Sequence, residues 1–272
     1  MYNEQTVGVV VPAYNEAGFV GEVIDTIPEY VDRIYAIDDC STDETWQEIQ
    51  MHAEQANETD QESRQKVLAD GGVADRDGGV SDRVIPIRHE ENRGVGGAIK
   101  TGYNRAYDDG IDVTAVMAGD GQMDPEKLPR LLDPIVAGEA DYTKGNRLMC
   151  PGYQEGMPKF RLFGNRVLTH LTQISSGYWN SGDPQNGYTA ISYDALDALD
   201  IDELYDDYGF ANELLARLNV HDMRVTDAAM PAVYGDEQSS IEYHTFIPKV
   251  SKLLLKNYVW RLKTKYVAQR AK

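Results

Sequence analysis

The chain has 272 residues, of which 26 are basic and 45 acidic, for a net charge of −19. That balance excludes nonspecific nucleic-acid binding through the body of the protein, since a polyanion would be repelled. The length allows one large domain with a real core, and such acidity on an otherwise ordinary globular sequence is also what a protein working in high salt shows, where screening relieves self-repulsion.

Cys40 and Cys150 lie in unrelated segments without metal-ligand spacing and read as free thiols of a reducing cytosol. No signal peptide is expected ahead of the first strand, and no apolar run reaches the roughly 18 residues of a spanning helix.

Residues 6–11 form a continuous apolar strand ended by Pro12-Ala13-Tyr14-Asn15-Glu16. Val20, Val23, Ile24 and Ile27 then recur at helical spacing, so the unit is strand, loop, helix, as a parallel sheet requires. A second strand over residues 33–37 runs into Asp38-Asp39-Cys40-Ser41-Thr42-Asp43 and another helix. A carboxylate at this position can accept hydrogen bonds from a base or ribose, while Ser41, Thr42 or Asp43 also suits a helix N-cap. Residues 54–83 are polar and contain Asp-Gly-Gly twice, with few apolar side chains to offset chain ordering. They read as a mobile surface insertion.

A third strand over residues 83–89 leads into Asn92-Arg93-Gly94-Val95-Gly96-Gly97 and a helix marked by Ile99, Tyr103 and Ala106. Backbone N–H groups of such a turn can face phosphate, and close helix-to-sheet packing explains the glycines equally well. A fourth strand, from Val113 to Met117, is broken by Gly119 and Gly121 where Asp120, Gln122 and Asp124 appear, before Pro125 opens a helical segment. Oxygen ligands at a strand's carboxyl end suit a hard divalent cation carrying a diphosphate. Asp120 and Gln122 are too few to hold Mg2+ or Mn2+ alone, so phosphate and water must complete the shell. Asp120-Gly121 also reads as a turn and Asp124-Pro125 as a helix cap.

In order along the chain, VVVPAYNE at 9–16, IDDCSTDET at 37–45, NRGVGGAIKTG at 92–102 and GDGQMDP at 119–125 resemble the family 2 inverting glycosyltransferases. The likeness is to the branch containing dolichol-phosphate mannose synthase and other polyprenyl-phosphate sugar transferases. It covers most of residues 5–235. It implies an α/β GT-A (nucleotide-diphospho-sugar transferase) fold, a mostly parallel central sheet flanked by helices, over residues 1–238. By the same likeness Pro12, Ala13, Tyr14, Glu16 and Asp39 hold the nucleotide of a nucleotide-diphosphate sugar; Asn92 and Arg93 are polar groups placed for that ligand's sugar or phosphate, and Asp120 completes the donor-binding set. Asp120 and Gln122 match the metal-binding Asp-x-Gln of that branch, implying Mg2+ or Mn2+. The family commonly carries Asp-x-Asp there, and Ala118 occupies the place of its first acid.

Gly145-Asn146-Arg147 resembles the family's Gly-Ser-Arg, which implies that Arg147 and Arg161 contact an acceptor phosphate. A guanidinium stays charged and binds phosphate bidentately. Lys159 and Arg166 read as surface charge. The segment 182–191 resembles the family's Asp-x-x-Ser-Gly-Phe, with Asn186 in place of Ser. Asp183 there, and Glu213 on a helix marked by Phe210, Leu214, Leu215 and Leu218, are the candidate catalytic carboxylates. A hydroxyl acceptor needs such a base, whereas polyprenyl or dolichyl phosphate is already anionic and needs positioning. The implied activity is inverting transfer of a monosaccharide from UDP- or GDP-sugar to a polyprenyl phosphate. Transfer to a glycan hydroxyl, or a noncatalytic binding module on the same fold, are the alternatives.

After Glu242 there are no acids and eight Lys or Arg, and the body before it nets −27. With Phe246, Val250, Leu253, Leu254, Tyr258 and Trp260 between the cations, residues 239–272 read as a basic amphipathic helical tail. It suits the cytoplasmic membrane surface, with peripheral attachment on the cytoplasmic face. The other reading packs it on the acidic body or on a second subunit as a homo-oligomer.

Overall fold

The computed structural model describes residues 1–69, 82–149, 159–231 and 243–267. Its centre is β1, Val7–Ala13, whose side chains are all buried. A strand apolar at nearly every position belongs inside a parallel sheet covered on both faces. Alternate residues serve opposite layers: Val7, Val9 and Val11 pack with α1 (Val20–Thr26), α2 (Thr45–Ala69) and α4 (Pro129–Val136). Val10 packs with α3 (Gly94–Asp108), α6 (Tyr193–Asp197) and α7 (Phe210–Val220).

Among the described residues seven strands form the sheet, in the order β3-β2-β1-β4-β6-β5-β7. Besides β1 they are β2 (Arg33–Asp38), β3 (Val84–Arg88), β4 (Val113–Val116), β5 (Tyr142–Asn146), β6 (Thr189–Ser192) and β7 (Val225–Ala229). Of these seven, β6 alone runs antiparallel to its neighbours, β4 and β5. Six carboxyl ends therefore share one edge of the sheet, and the segment entering β6 arrives at that same edge. The chain moves outward from β1 through β2 to β3, then returns to β4 on the other side of β1. This reversal makes the β1/β4 boundary the topological switch point, where open α/β sheets leave a crevice for ligands.

One expectation changes. The stretch read as a mobile insertion begins as helix: α2 continues to Ala69, and residues 70–81 lie outside the described residues. Gln, Glu, Ala and Lys favour helix without an apolar stripe, and α2 is anchored by buried Ile49 and Ala53. Asn57 also exchanges two hydrogen bonds with the backbone of Val84, at 2.8 and 2.9 Å.

For the tail the reading that packs it on the body is the one seen, because α8 (Tyr243–Leu262) packs against α5 (Lys159–Ser176) and α7. Its apolar face, with Val250, Leu253 and Leu254 buried, is spent on the protein itself. Arg261, also buried, donates to the carbonyls of Ser175 at 2.8 Å and Ile174 at 3.1 Å, while Ser175 Oγ donates to Leu254 O at 2.8 Å. Lys265 pairs with Asp222 and caps Asn219 O. The outward face retains Lys249, Lys252, Leu255, Lys256 and Val259. Among the described residues no helix is long and apolar enough to cross a membrane.

Candidate active site

The crevice is built from backbone first. Met117 N and Gly119 N donate to Val10 O and Pro12 O, so the chain leaving β4 stays beside the end of β1. Asp39 N donates to Ala13 O, which brings the end of β2 alongside as well. Pro12 and Ala13 are buried in this floor, and Tyr14 stands 46% exposed above it. Asn15, in the left-handed region at φ 56°, lets the loop turn back on the β2–α2 connection. Its N–H donates to Ser41 Oγ and its Oδ1 accepts from Thr42 N, while Glu16 N donates to Thr45 Oγ1.

Asp43 performs the capping expected of this region, accepting from Thr45 N at 3.0 Å and from the Thr45 hydroxyl. Burial opposes its charge, but these bonds and one from Ala17 N outweigh it and hold the carboxyl below the ordinary range.

Asp39 is a buried junction. Its Oδ1 accepts from Arg93 N at 2.8 Å and faces His89 Nδ1 at 2.7 Å. A carboxylate only accepts, so Nδ1 carries the imidazole proton, and Nε2 meets Thr101 Oγ1 at 2.9 Å. The ends of β2 and β3 and the start of α3 are thus tied at one oxygen. Asn92 Oδ1 accepts from Gly94 N, and both Asn92 and Arg93 are exposed at this rim.

The glycines of the turn are explained by packing. A Cβ on Gly94 or Gly96 would lie 2.6 Å from Asp206 O or 2.5 Å from Tyr205 O. Gly97 N already donates to Asp206 O at 3.0 Å.

Across the switch point, Asp120 is half-buried. Its Oδ1 accepts from Gln122 N at 3.0 Å around Gly121, which sits at φ 72°. Asp124 Oδ1 accepts from Glu126 N at 2.9 Å and caps the 3-10 turn Pro125–Lys127. Both local readings, turn and cap, therefore hold, and they leave Asp120 Oδ2 without a protein partner among the described residues. No group of three or more His, Cys, Asp or Glu disposed to hold a metal occurs among the described residues.

Tyr188 OH donates to Asp124 O at 3.1 Å, joining this segment to the turn that precedes β6. There Asp183, fully buried, accepts from Arg147 Nε at 2.7 Å, Nη2 at 2.8 Å and backbone N at 3.0 Å. Burial opposes the Asp183 charge, but the Arg147 hydrogen bonds and charge prevail and hold its carboxyl below the usual range. Glu213 is buried on α7, with Oε2 accepting from Tyr205 N at 3.1 Å and Oε1 from Arg217 at 3.2 Å. Each carboxylate thus has a donor on both oxygens. Arg161 lies in the first turn of α5, and its side chain is outside the described residues.

Three contributors were not singled out from the sequence. His89 follows β3, and Lys144 on β5 and Asp227 on β7 are charges whose side chains are buried. A lysine within a strand of buried residues is the signal that would have found the last pair.

A model of glycosyl transferase family 2 matches residues 8–200. A UDP-N-acetylglucosamine–dolichyl-phosphate N-acetylglucosaminyltransferase of Methanococcus voltae is 28% identical over 234 residues, covering 86% of this chain and 88% of that one. An undecaprenyl-phosphate mannosyltransferase of Micrococcus luteus is 27% identical over 213 residues, 76% of this chain and 75% of the relative. Among solved structures, glucosyl-3-phosphoglycerate synthase from Mycobacterium tuberculosis with phosphoglyceric acid superposes with a TM-score of 0.60. The two are 19% identical, over 95% of this chain and 80% of that one. The same enzyme with Mg2+ and UDP gives 0.58 at 19% identity, over 95% and 79%. At that identity the likeness establishes the shared GT-A fold.

Proposed function

Because the chain belongs to glycosyl transferase family 2 and is a sugar transferase, we propose that it moves a monosaccharide from a nucleotide-diphosphate sugar to a polyprenyl or dolichyl phosphate, with inversion. The observation that carries this reading is Arg147, held at the carboxyl edge of the sheet by the buried carboxylate of Asp183, in the turn before β6 whose Tyr188 bonds to Asp124 O. Relatives named for transfer to dolichyl and undecaprenyl phosphate support the acceptor class.

In this reading the donor nucleotide lies over Pro12, Ala13 and Tyr14, with Glu16, Asp39, Asn92 and Arg93 around it and its diphosphate towards Asp120. The half-buried Asp120, with one oxygen unpartnered among the described residues, fits a cation whose remaining ligands are phosphate and water, and Gln122 stands two residues on. Bound Mg2+ or Mn2+ would stabilise the negative charge of the departing nucleoside diphosphate.

Arg147, with Arg161 as the second candidate, orients the acceptor phosphate so that its oxygen faces the anomeric carbon. That oxygen is anionic already, so no side chain has to remove a proton. Asp183 and Glu213 are then holding groups rather than general bases, in keeping with the donors on both oxygens of each. A lipid acceptor places the enzyme at the cytoplasmic membrane face, and the outward lysines Lys249, Lys252 and Lys256 with Leu255 and Val259 supply a peripheral contact.

The test is mass spectrometry of lipid products after incubation with a panel of UDP- and GDP-sugars, Mn2+ and a short-chain polyprenyl phosphate. A glycosylated lipid phosphate is expected. Sugar transfer to a free glycan hydroxyl with none to the lipid phosphate would overturn the acceptor assignment.

A further inference from the structure

Lys144 takes no role in the proposed transfer, yet its charged side chain is almost fully buried. It sits in the middle of β5 at 3% exposure, between Thr189 on β6 and Asp227 on β7. An ammonium is almost never this buried unless every proton has an acceptor. Here it donates to Gly182 O and to Asp183 O, the latter at 3.2 Å, and faces Asp227 Oδ1 at 3.5 Å. Burial draws its pKa down, and Asp227 and Asp183 work against that.

Two consecutive carbonyls turned onto one cation constrain the peptide between them, and Asp183 adopts φ 45°, a left-handed conformation uncommon for a side chain larger than glycine. The other side of the turn is strapped by Asp227, which accepts from Gly182 N and Asn146 Nδ2 at 2.6 Å and from Ser181 Oγ at 2.9 Å. Residues 181–183 are thus held from both strands at once, and the product of that grip is the Asp183 carboxylate facing Arg147. The carboxylate of Asp227 lies farther from the ammonium than the Asp183 carbonyl does, so a simple cross-strand ion pair does not describe Lys144.

We infer that Lys144 is a positioning residue, whose ammonium keeps the 182–183 turn in the conformation that locks the Arg147 guanidinium. Its consequence for the reaction rests on Arg147 meeting the acceptor phosphate; the locking itself does not. The test is Lys144→Met in protein labelled with 15N-arginine, the Arg147 Nε–H resonance being assigned by its loss in Arg147→Lys. In the parent protein that N–H is protected by Asp183. In the variant its exchange with water is expected to quicken at least about tenfold. The KM for a short-chain polyprenyl phosphate should rise about tenfold, with kcat changed less than about twofold and UDP affinity unaltered.

Should the single variant fail to fold, Lys144→Met with Asp227→Asn removes both charges together and gives the same readouts. An Nε–H as protected in the variant as in the parent overturns the inference. A released Nε–H with an unaltered KM supports it and counts instead against the phosphate role of Arg147.

Discussion

Arg147 and Asp183, 36 positions apart in sequence, meet through three hydrogen bonds of 2.7 to 3.0 Å, two from the guanidinium and one from the Arg147 backbone. The carboxylate is fully buried and the guanidinium side chain 19% exposed, so the pair points from the protein interior towards the sheet edge. A fixed guanidinium loses little further freedom on meeting a phosphate, which is the advantage of holding it in advance.

Replacing Arg147 by Ala should therefore cost more than a surface substitution. It leaves the buried Asp183 charge without its cation, and urea unfolding is expected to register a loss of about 3 kcal/mol. Transfer to polyprenyl phosphate should fall on the order of 10- to 100-fold in kcat/KM. Unchanged transfer in a folded variant would remove Arg147 from the acceptor site.

Stability should depend on acidity in a defined direction. Asp183, Asp43 and Asp141 all have folded-state values below the ordinary range; for Asp141 hydrogen bonds from Arg224 lead, against burial. An unfolded Asp takes up its proton near pH 4, where these folded carboxyls still hold theirs off, so the unfolded chain binds more protons. Their contribution is present in full above that value and is lost as pH falls through the folded values. Urea midpoints measured from pH 7 downward should fall below about pH 4, less steeply in Asp183→Asn than in the parent.

Asp120→Asn separates ligand binding from folding. The side chain is half-buried and, among the described residues, bonds only to Gln122 N, so the urea midpoint should move little, by about 0.5 kcal/mol or less. Calorimetric titration with UDP should lose the increment that Mn2+ gives the parent protein. An equal Mn2+ effect in parent and variant would move the cation elsewhere.

The glycines at the start of α3 give a stability test. Gly96→Ala would drive a methyl to 2.5 Å from Tyr205 O and should destabilise by about 1–3 kcal/mol in urea unfolding. Gly164→Ala, with nothing within 4 Å of the added carbon inside α5, should stabilise by about 0.5 kcal/mol.

The two faces of α8 should respond differently. Leu254→Ala empties a buried site and is expected to cost about 2–4 kcal/mol. Lys252→Glu combined with Lys256→Glu should change stability by about 0.5 kcal/mol or less. It should also lower flotation with anionic vesicles, and undiminished flotation would discard the outward lysines as a membrane contact.

What the sequence determined by itself were features carried by contiguous residues. The apolar runs that become β1 to β4, the helix following each early strand, the glycosyltransferase motifs and the Asp120 and Asp124 turns are all local. Their physical causes act over a few residues. Helix over residues 54–69 escaped the reading because an exposed helix needs propensity rather than apolar periodicity. The short β7 and the reversal of β6 were decided only by which strands pair.

The tertiary structure alone placed His89 against Asp39, Lys144 against Asp227 and the 182–183 turn, and Asp183 against Arg147. It also turned the apolar face of α8 inward. These partners lie between 36 and 83 positions apart, Lys144 and Asp227 the farthest. Strand register brings them together, and no periodicity in a single chain specifies which buried polar group another will meet.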